Sequence, residues 1–341
     1  MTELFIDQPN LEAQLGEFLR MTSQSLEGLP ANPLHNRRRE ALAYFQNLGF
    51  PNTKHEEWKY TNVKPLINKA YAFGSRSEIQ ANDIQGFAIA DLEANVLVME
   101  NGKYRPDLSK LLDSEDDLII RDLHQVNQEH PELLEAFYSQ KLNLKNEAFT
   151  ALNTLMAEDG IFIHIPKNKV VQHPIMLHYI SDAREKDVFI TPRVLILVEE
   201  NAEASLIDQL STLGTQASFN NAITEIQVAP AARFNHYKIQ NDQAHTYFIG
   251  TTQVHQGANS LYHNVTISLD GSLVRNNLNI QLDGQNIESN MYGLYMLEGK
   301  TLVDNHSIAD HMQPHSVSNE LYKGIMDGQS KGVFNGKIFV R

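Results

Sequence analysis

The densest run of chemically capable side chains is Asp304, His306, Asp310, His311 and His315, within twelve residues. Imidazoles and carboxylates in that mixture are the ligand types of a divalent metal site. Strand parity divides them, however. Asp304, His306 and Asp310 share one face, His311 and His315 point the other way, and a turn at Pro314 is needed to recruit His315. Asp304, His306, His311 and His315 are therefore metal or interface candidates, with a hydrogen-bonded ladder along stacked strands as the competing reading. Glycan cleavage would need two carboxylates ~5–9.5 Å apart across a cleft. Asp304 and Asp310 on one strand face would stand about 20 Å apart.

Other chemistries lack their residues. The 341-residue chain has no cysteine, so no thiolate nucleophile, disulfide or cysteine metal site exists in it. Neither a G-x-x-x-x-G-K-[ST] loop nor a G-x-S-x-G elbow occurs, which argues against ATP hydrolysis and serine-hydrolase chemistry by this chain. A net charge of −14 makes nucleic acid an improbable partner, and Arg37, Arg38 and Arg39 read as the solvated face of a helix. The first residues lack a basic segment followed by an apolar one, and no eighteen apolar residues run together, so a soluble, cytoplasmic, non-membrane protein is expected.

The elements that must position these residues fall into two parts. Leu4, Leu11, Leu15, Phe18 and Leu19, then Leu34, Ala41, Leu42, Phe45 and Leu48, recur at helical spacing, with Gly49 and Pro51 as a stop. A helical insertion is expected over about 122–146, broken near Pro131. From about Asn95 the period is two. His263, Val265, Ile267 and Leu269 alternate with Asn264, Thr266 and Ser268, and Leu278, Ile280 and Leu282 alternate with Asn277, Asn279 and Gln281. Turn formers at Asn201-Ala202, Ala229-Pro230, Gln256-Gly257, Asp270-Gly271, Asp283-Gly284, Glu298-Gly299 and Asp327-Gly328 are spaced by roughly 14 or 28 residues. Such steps suit either an antiparallel sandwich or a solenoid with two steps per coil. Polar amides stacked outside and large residues filling the bore favour the solenoid. His164, His173 and His178 sit at strand and turn positions as ordinary structural histidines.

Four strings carry a resemblance. They are HEEWKYTNVKPL (55–66), FTALNTLMAEDGIFIHIPKNKVVQHPI (149–175), DNHSIADHMQPHSVSNELYKG (304–324) and GVFNGKIFV (332–340). In that order they resemble the SufB/SufD family of iron–sulfur cluster assembly scaffolds. The Trp58 string and the lack of cysteine look more like the SufD type than the SufB type. Within the second string, Asp159-Gly160 is expected to make a positive-φ turn, after which Ile161, Ile163 and Ile165 face the core.

What the resemblance implies is a mainly β protein, a right-handed parallel β-helix over 95–341 preceded by a helical region over 1–94. It also implies a non-enzymatic scaffold working with SufB and the ATPase SufC, with iron or a cluster held only in the complex. Family members continue past the F-x-G-K-I strand into a C-S-H-G-A-T-like string and helices that bind SufC, so a chain shortened at its C-terminus is expected. Trp58 and Tyr60 should pack the helices onto the β-helix. A homodimer through Val333, Phe334 and Ile338 is expected when SufB is absent. The alternatives are a β-helical polysaccharide lyase or hydrolase, or a purely structural β-helix.

Overall fold

The turn spacing sets the architecture. In the computed structural model, which describes residues 10–73, 77–157 and 159–341, the chain from Ile161 onward winds into a parallel β-solenoid with two strands per coil. One sheet stacks Ile161–Ile165, Arg193–Val198, Ser218–Val228, Thr246–Gln256, Leu273–Leu282, Leu302–His311 and Lys331–Val340. The other stacks Ile175–Ala183, Glu203–Gly214, Arg233–Asn241, Leu261–Asp270, Glu288–Leu297 and Val317–Met326. Asn95–Glu100 pairs in parallel with Ile175–Ala183, so the chain joins the second sheet where the period-two pattern begins. No helix among the described residues is long and apolar enough to cross a membrane.

One corner of the solenoid repeats in conformation as well as position. Asn168, Asn201, Ala231, Asn259, Asn286 and His315 all have positive φ, between 57° and 65°. Each of the first five donates its backbone N–H to a carbonyl of the next coil's corner. Asparagine tolerates the left-handed region through local hydrogen bonding. Its side chains stack here, with Asn201 Nδ2 to Asn168 Oδ1 at 3.0 Å and Asn286 Nδ2 to Asn259 Oδ1 at 3.2 Å. Ala231 interrupts the ladder. The turn at Asp159-Gly160 works differently from expectation, since Gly160 does not have positive φ. Gly160 is required because a Cβ there would lie 2.4 Å from the Arg193 carbonyl.

Ile161, Ile163 and Ile165 line the core as expected, and so do Leu278, Ile280 and Leu282. In Leu261–Asp270 the phase is reversed: Tyr262, Asn264, Thr266 and Ser268 point inward and are buried, while His263, Val265 and Ile267 face out. The bore at this level is polar and internally satisfied. Ser268 donates to Gln240 Oε1 at 2.7 Å, Gln240 Nε2 to Asn276 Oδ1 at 3.0 Å, and Asn276 Nδ2 to Asn305 Oδ1 at 3.0 Å. Beside it His236 lies between Asp208 and the Tyr262 hydroxyl, at 2.8 and 2.9 Å.

The helical region covers the outer face of the first sheet. Its main helices are Leu11–Glu27 and Pro33–Leu48, each N-capped by an asparagine, and the expected insertion forms Leu123–Glu129 and Pro131–Phe137 before Ala148–Met156. Leu4 lies outside the described residues. Leu11, Leu15, Phe45, Trp58, Phe149 and Leu152 pack on Phe189, Phe219, Tyr247 and Leu273 of the sheet. Asn153 and Asn221 tie helix to strand through each other's neighbouring carbonyls, Asn153 Nδ2 to Asn221 O and Asn221 Nδ2 to Phe149 O, at 2.6 and 2.8 Å.

An alanine at φ 59° costs about 1–2 kcal/mol that asparagine largely avoids. Ala231→Asn, exposed and flanked by Asn201 and Asn259, is therefore expected to raise stability by about 0.5–1 kcal/mol in urea unfolding. No change or a loss would show that the corner ladder contributes nothing.

Candidate functional site

Two arginines on the outer face of the first sheet are fully buried, and each is enclosed in the same way. Arg193 pairs with Glu225 of the neighbouring strand, donates to Asn153 Oδ1 and Thr154 Oγ1 at 3.1 Å, and lies 4.4 Å from the centre of the Tyr138 ring. Arg275 donates to Asp304 at 2.5 Å and to the Glu57 carbonyl at 2.8 Å, with its guanidinium 4.0 Å from the centre of the Trp58 ring. Asp304 also accepts the Thr61 hydroxyl. In both pairs a sheet residue supplies the carboxylate and the helical region supplies the ring and further partners, while Asn277 Oδ1 of the sheet accepts the Arg275 Nε–H at 3.1 Å, the arrangement that suits a planar, five-donor guanidinium.

Around the second pair the distant strings meet. His306 Nε2 is 2.9 Å from Asp304 Oδ1, and its Nδ1 is 3.5 Å from Glu57 Oε2. Lys337 reaches Glu57 from the last strand. Residues 57–61, 304–306 and 337, far apart in sequence, thus form one cluster. Burial would push the Asp304 carboxyl up, but the His306 hydrogen bond, the Arg275 charge and the Thr61 hydroxyl outweigh it and hold the carboxyl below the ordinary aspartate range. Glu57 is lowered likewise, against partial burial, by Lys337, His306 and Arg275.

The four candidate metal ligands are not brought together. Asp304 and His306 belong to this cluster, whereas His311 accepts or donates on the other face at Ser318 Oγ, 2.9 Å away, and His315 occupies the left-handed corner. Among the described residues no group of three or more histidines, aspartates and glutamates is arranged to hold a metal ion. Asp310, on the Asp304 face as parity required, is bound by Arg341 at 3.0 Å. Trp58 is buried as expected, whereas Tyr60 is 66% exposed. Val333 is half-buried, and Phe334 and Ile338 are 42% and 59% exposed on a strand hydrogen-bonded on one side. The three scattered histidines are structural. His164 faces Glu199, His173 faces Asp113, and buried His178, its pKa lowered to about 4 by desolvation, bonds Ser211.

Sequence reading missed Arg275, Glu57 and Lys337. Arg275 and Asp304 are 29 residues apart, one coil, so the turn spacing would have placed them side by side. Nothing in the sequence joined Glu57 to either.

Asp304, with its lowered pKa, stabilises the fold fully above the ordinary aspartate pKa of about 4 and loses that contribution as pH falls through its depressed value. The stability difference between wild type and Asp304→Asn should accordingly be constant from pH 7 to about 5 and shrink below about pH 4. A difference that is flat down to pH 2.5 would mean that Asp304 is not held ionised by this cluster.

Comparison with known proteins covers nearly the whole chain. Residues 9–177 match the SufBD protein N-terminal region, and residues 179–341 match the SufBD core domain of the SUF system for FeS cluster assembly. An iron–sulfur cluster assembly SufBD family protein of Synechocystis is 27% identical over 323 residues, covering 92% of this chain and 71% of the relative. The iron–sulfur cluster assembly protein SufD of Escherichia coli is 26% identical over 308 residues, 88% of this chain and 69% of its own length. SufD of Bacillus subtilis is 22% identical over 214 residues, and that match spans 61% of this chain and about half (48%) of the relative. With one family model matching the helical region and first coils, a second matching the rest of the solenoid, and the matching strings converging on one buried cluster, the chain belongs to the SufB/SufD family.

Proposed function

We propose that this chain is a SufD-type scaffold subunit of iron–sulfur cluster assembly, acting in a complex with SufB and the ATPase SufC. The observation that carries this reading is the match of both SufBD family models, in order, across residues 9–341. Relatives similar in sequence are named for iron–sulfur cluster assembly. The chain contributes form rather than catalysis: the charged groups of its buried cluster answer one another, Arg275 by Asp304 and Lys337 by Glu57. The glycan-cleaving alternative is disfavoured because Asp304 is enclosed under Trp58 and Asp310 is engaged by Arg341.

The last coil is the partner surface of this proposal. Phe334 and Ile338 stand exposed on Lys331–Val340, and a homologous solenoid pairing with this coil would cover them. SufB is the proposed occupant, and a second copy of the chain takes its place when SufB is absent. Iron or a nascent cluster is held in the complex and not by the isolated chain.

Co-expression of the gene product with SufB and SufC tests the proposal. The three should co-purify, anaerobic reconstitution should give iron–sulfur absorbance in the complex and a colourless chain alone, and Phe334→Asp with Ile338→Asp should lower SufB recovery at least about tenfold while leaving the far-UV spectrum unchanged. A chain that purifies without either subunit contradicts the assembly. Undiminished SufB recovery with the double variant contradicts the surface.

A further inference from the structure

Beside the buried cluster runs a polar groove of about 260 Å³, between the outer face of the first sheet and the segment preceding Ala148–Met156. Its floor is a row of carboxamides. Asn277, Asn279 and Gln281 alternate along one strand, so their side chains share the outer face at two-residue steps of about 6.6–6.8 Å. Gln253 lies next to Asn279 in the preceding coil, and Asn335 lies beside His306 in the last. Asn279, Gln281, Gln253 and Asn335 make no side-chain hydrogen bond to any described residue. On the facing wall Glu147 is half-buried and, among the described residues, has no ion-pair partner.

Most of the groove's cations are already matched, Arg275 by Asp304, Lys337 by Glu57 and Arg341 by Asp310, which disfavours a small anion. Asn277 is engaged, its Oδ1 accepting from Arg275 Nε at 3.1 Å and its Nδ2 donating to Thr251 Oγ1 at 3.4 Å, so the groups left unmatched among the described residues are the carboxamides of Gln253, Asn279, Gln281 and Asn335, each offering both a donor and an acceptor, the exposed Lys141 at the rim and the Glu147 carboxylate. A main-chain peptide unit has the complementary pair, and in an extended chain the units facing one side recur every two residues, the step of the row itself. Asn279 to Gln281 spans two residue steps, about 6.6–6.8 Å, one full repeat of an extended segment.

We propose that this groove binds an extended peptide, its main chain carried by the carboxamide row and one donor-bearing side chain offered to Glu147. The peptide lies across the outer face of the sheet, to which Asn335 of the last strand belongs, whereas Phe334 and Ile338 occupy the alternate positions of that strand. It stands independently of the assembly proposal.

The test uses pools of acetylated, amidated hexapeptides with one position fixed as Arg, Lys, Gln, Glu or Ala, titrated into the purified chain and followed by NMR shifts. The Arg or Lys pools should bind best. For the tightest sequence, N-methylation of one alternating set of amides should weaken binding about tenfold or more, and of the intervening set less than about threefold. Asn279→Ala with Gln281→Ala should lose about tenfold at an unchanged thermal midpoint, since both side chains face outward without partners. Glu147→Gln should abolish the preference for a basic residue. Binding by no pool at millimolar concentration would overturn the proposal, as would equal tolerance of both N-methylation sets. Displacement of the peptide by inorganic phosphate or by a neutral oligosaccharide as effectively as by peptide would also overturn it.

Discussion

A guanidinium buried between a carboxylate of the solenoid and an aromatic ring of the helical region is the interaction on which the rest of the structure depends. It occurs twice, at Arg193 with Glu225 and Tyr138, and at Arg275 with Asp304 and Trp58. Apolar packing between Phe149, Phe189, Phe219 and their neighbours supplies area but little direction, because it tolerates sliding. A buried arginine does not tolerate it. Displacing the helices by one turn would strand a charge out of water at a cost of about 3–5 kcal/mol, so each pair fixes where the helical region sits on the sheet. The two anchor it at separate places, one near the early coils and one near the last.

That constraint gives the sequence strings a physical reading. Glu57, Trp58 and Thr61 belong to one string, Asp304 and His306 to another, and Lys337 to a third, and all contribute to the same cluster. Of the residues that suggested metal chemistry, Asp304 and Asp310 serve here as hydrogen-bond partners of arginines, and His306 faces Asp304 and Glu57. His315, the outermost member of the candidate set, supplies a left-handed corner. The family's strings in this chain therefore record how the helices are fastened to the solenoid, and the groove borders that fastening, sharing Glu57, Arg275, His306 and Lys337 with it.

Legibility in the sequence followed how local each feature is. The corners, the helix stops and the alternation of Leu278 to Leu282 rest on nearest neighbours and could be read directly. Parity correctly separated Asp310 from His311. What could not be read was phase: His263, Val265 and Ile267 alternate with Asn264, Thr266 and Ser268, and either set could face in. The polar set does: Ser268 donates to Gln240 of the neighbouring strand, which pairs with Asn276 across the bore, while Thr266 donates to Asn264 and Asn264 to the His236 carbonyl. Pairings between the helical region and the solenoid, such as Thr61 with Asp304 across 243 positions, have no local signature at all.

The fastening role is tested most directly by native-state hydrogen exchange of Arg275→Met beside the wild type. Exchange in the segment around Trp58 and Thr61, and in the helices Leu11–Glu27 and Pro33–Leu48, should accelerate, while the coils from Glu203 to Asp270 keep their protection. Protection unchanged in the helical region, or lost uniformly through the solenoid, would contradict the claim that the buried arginine pairs hold the two parts in place.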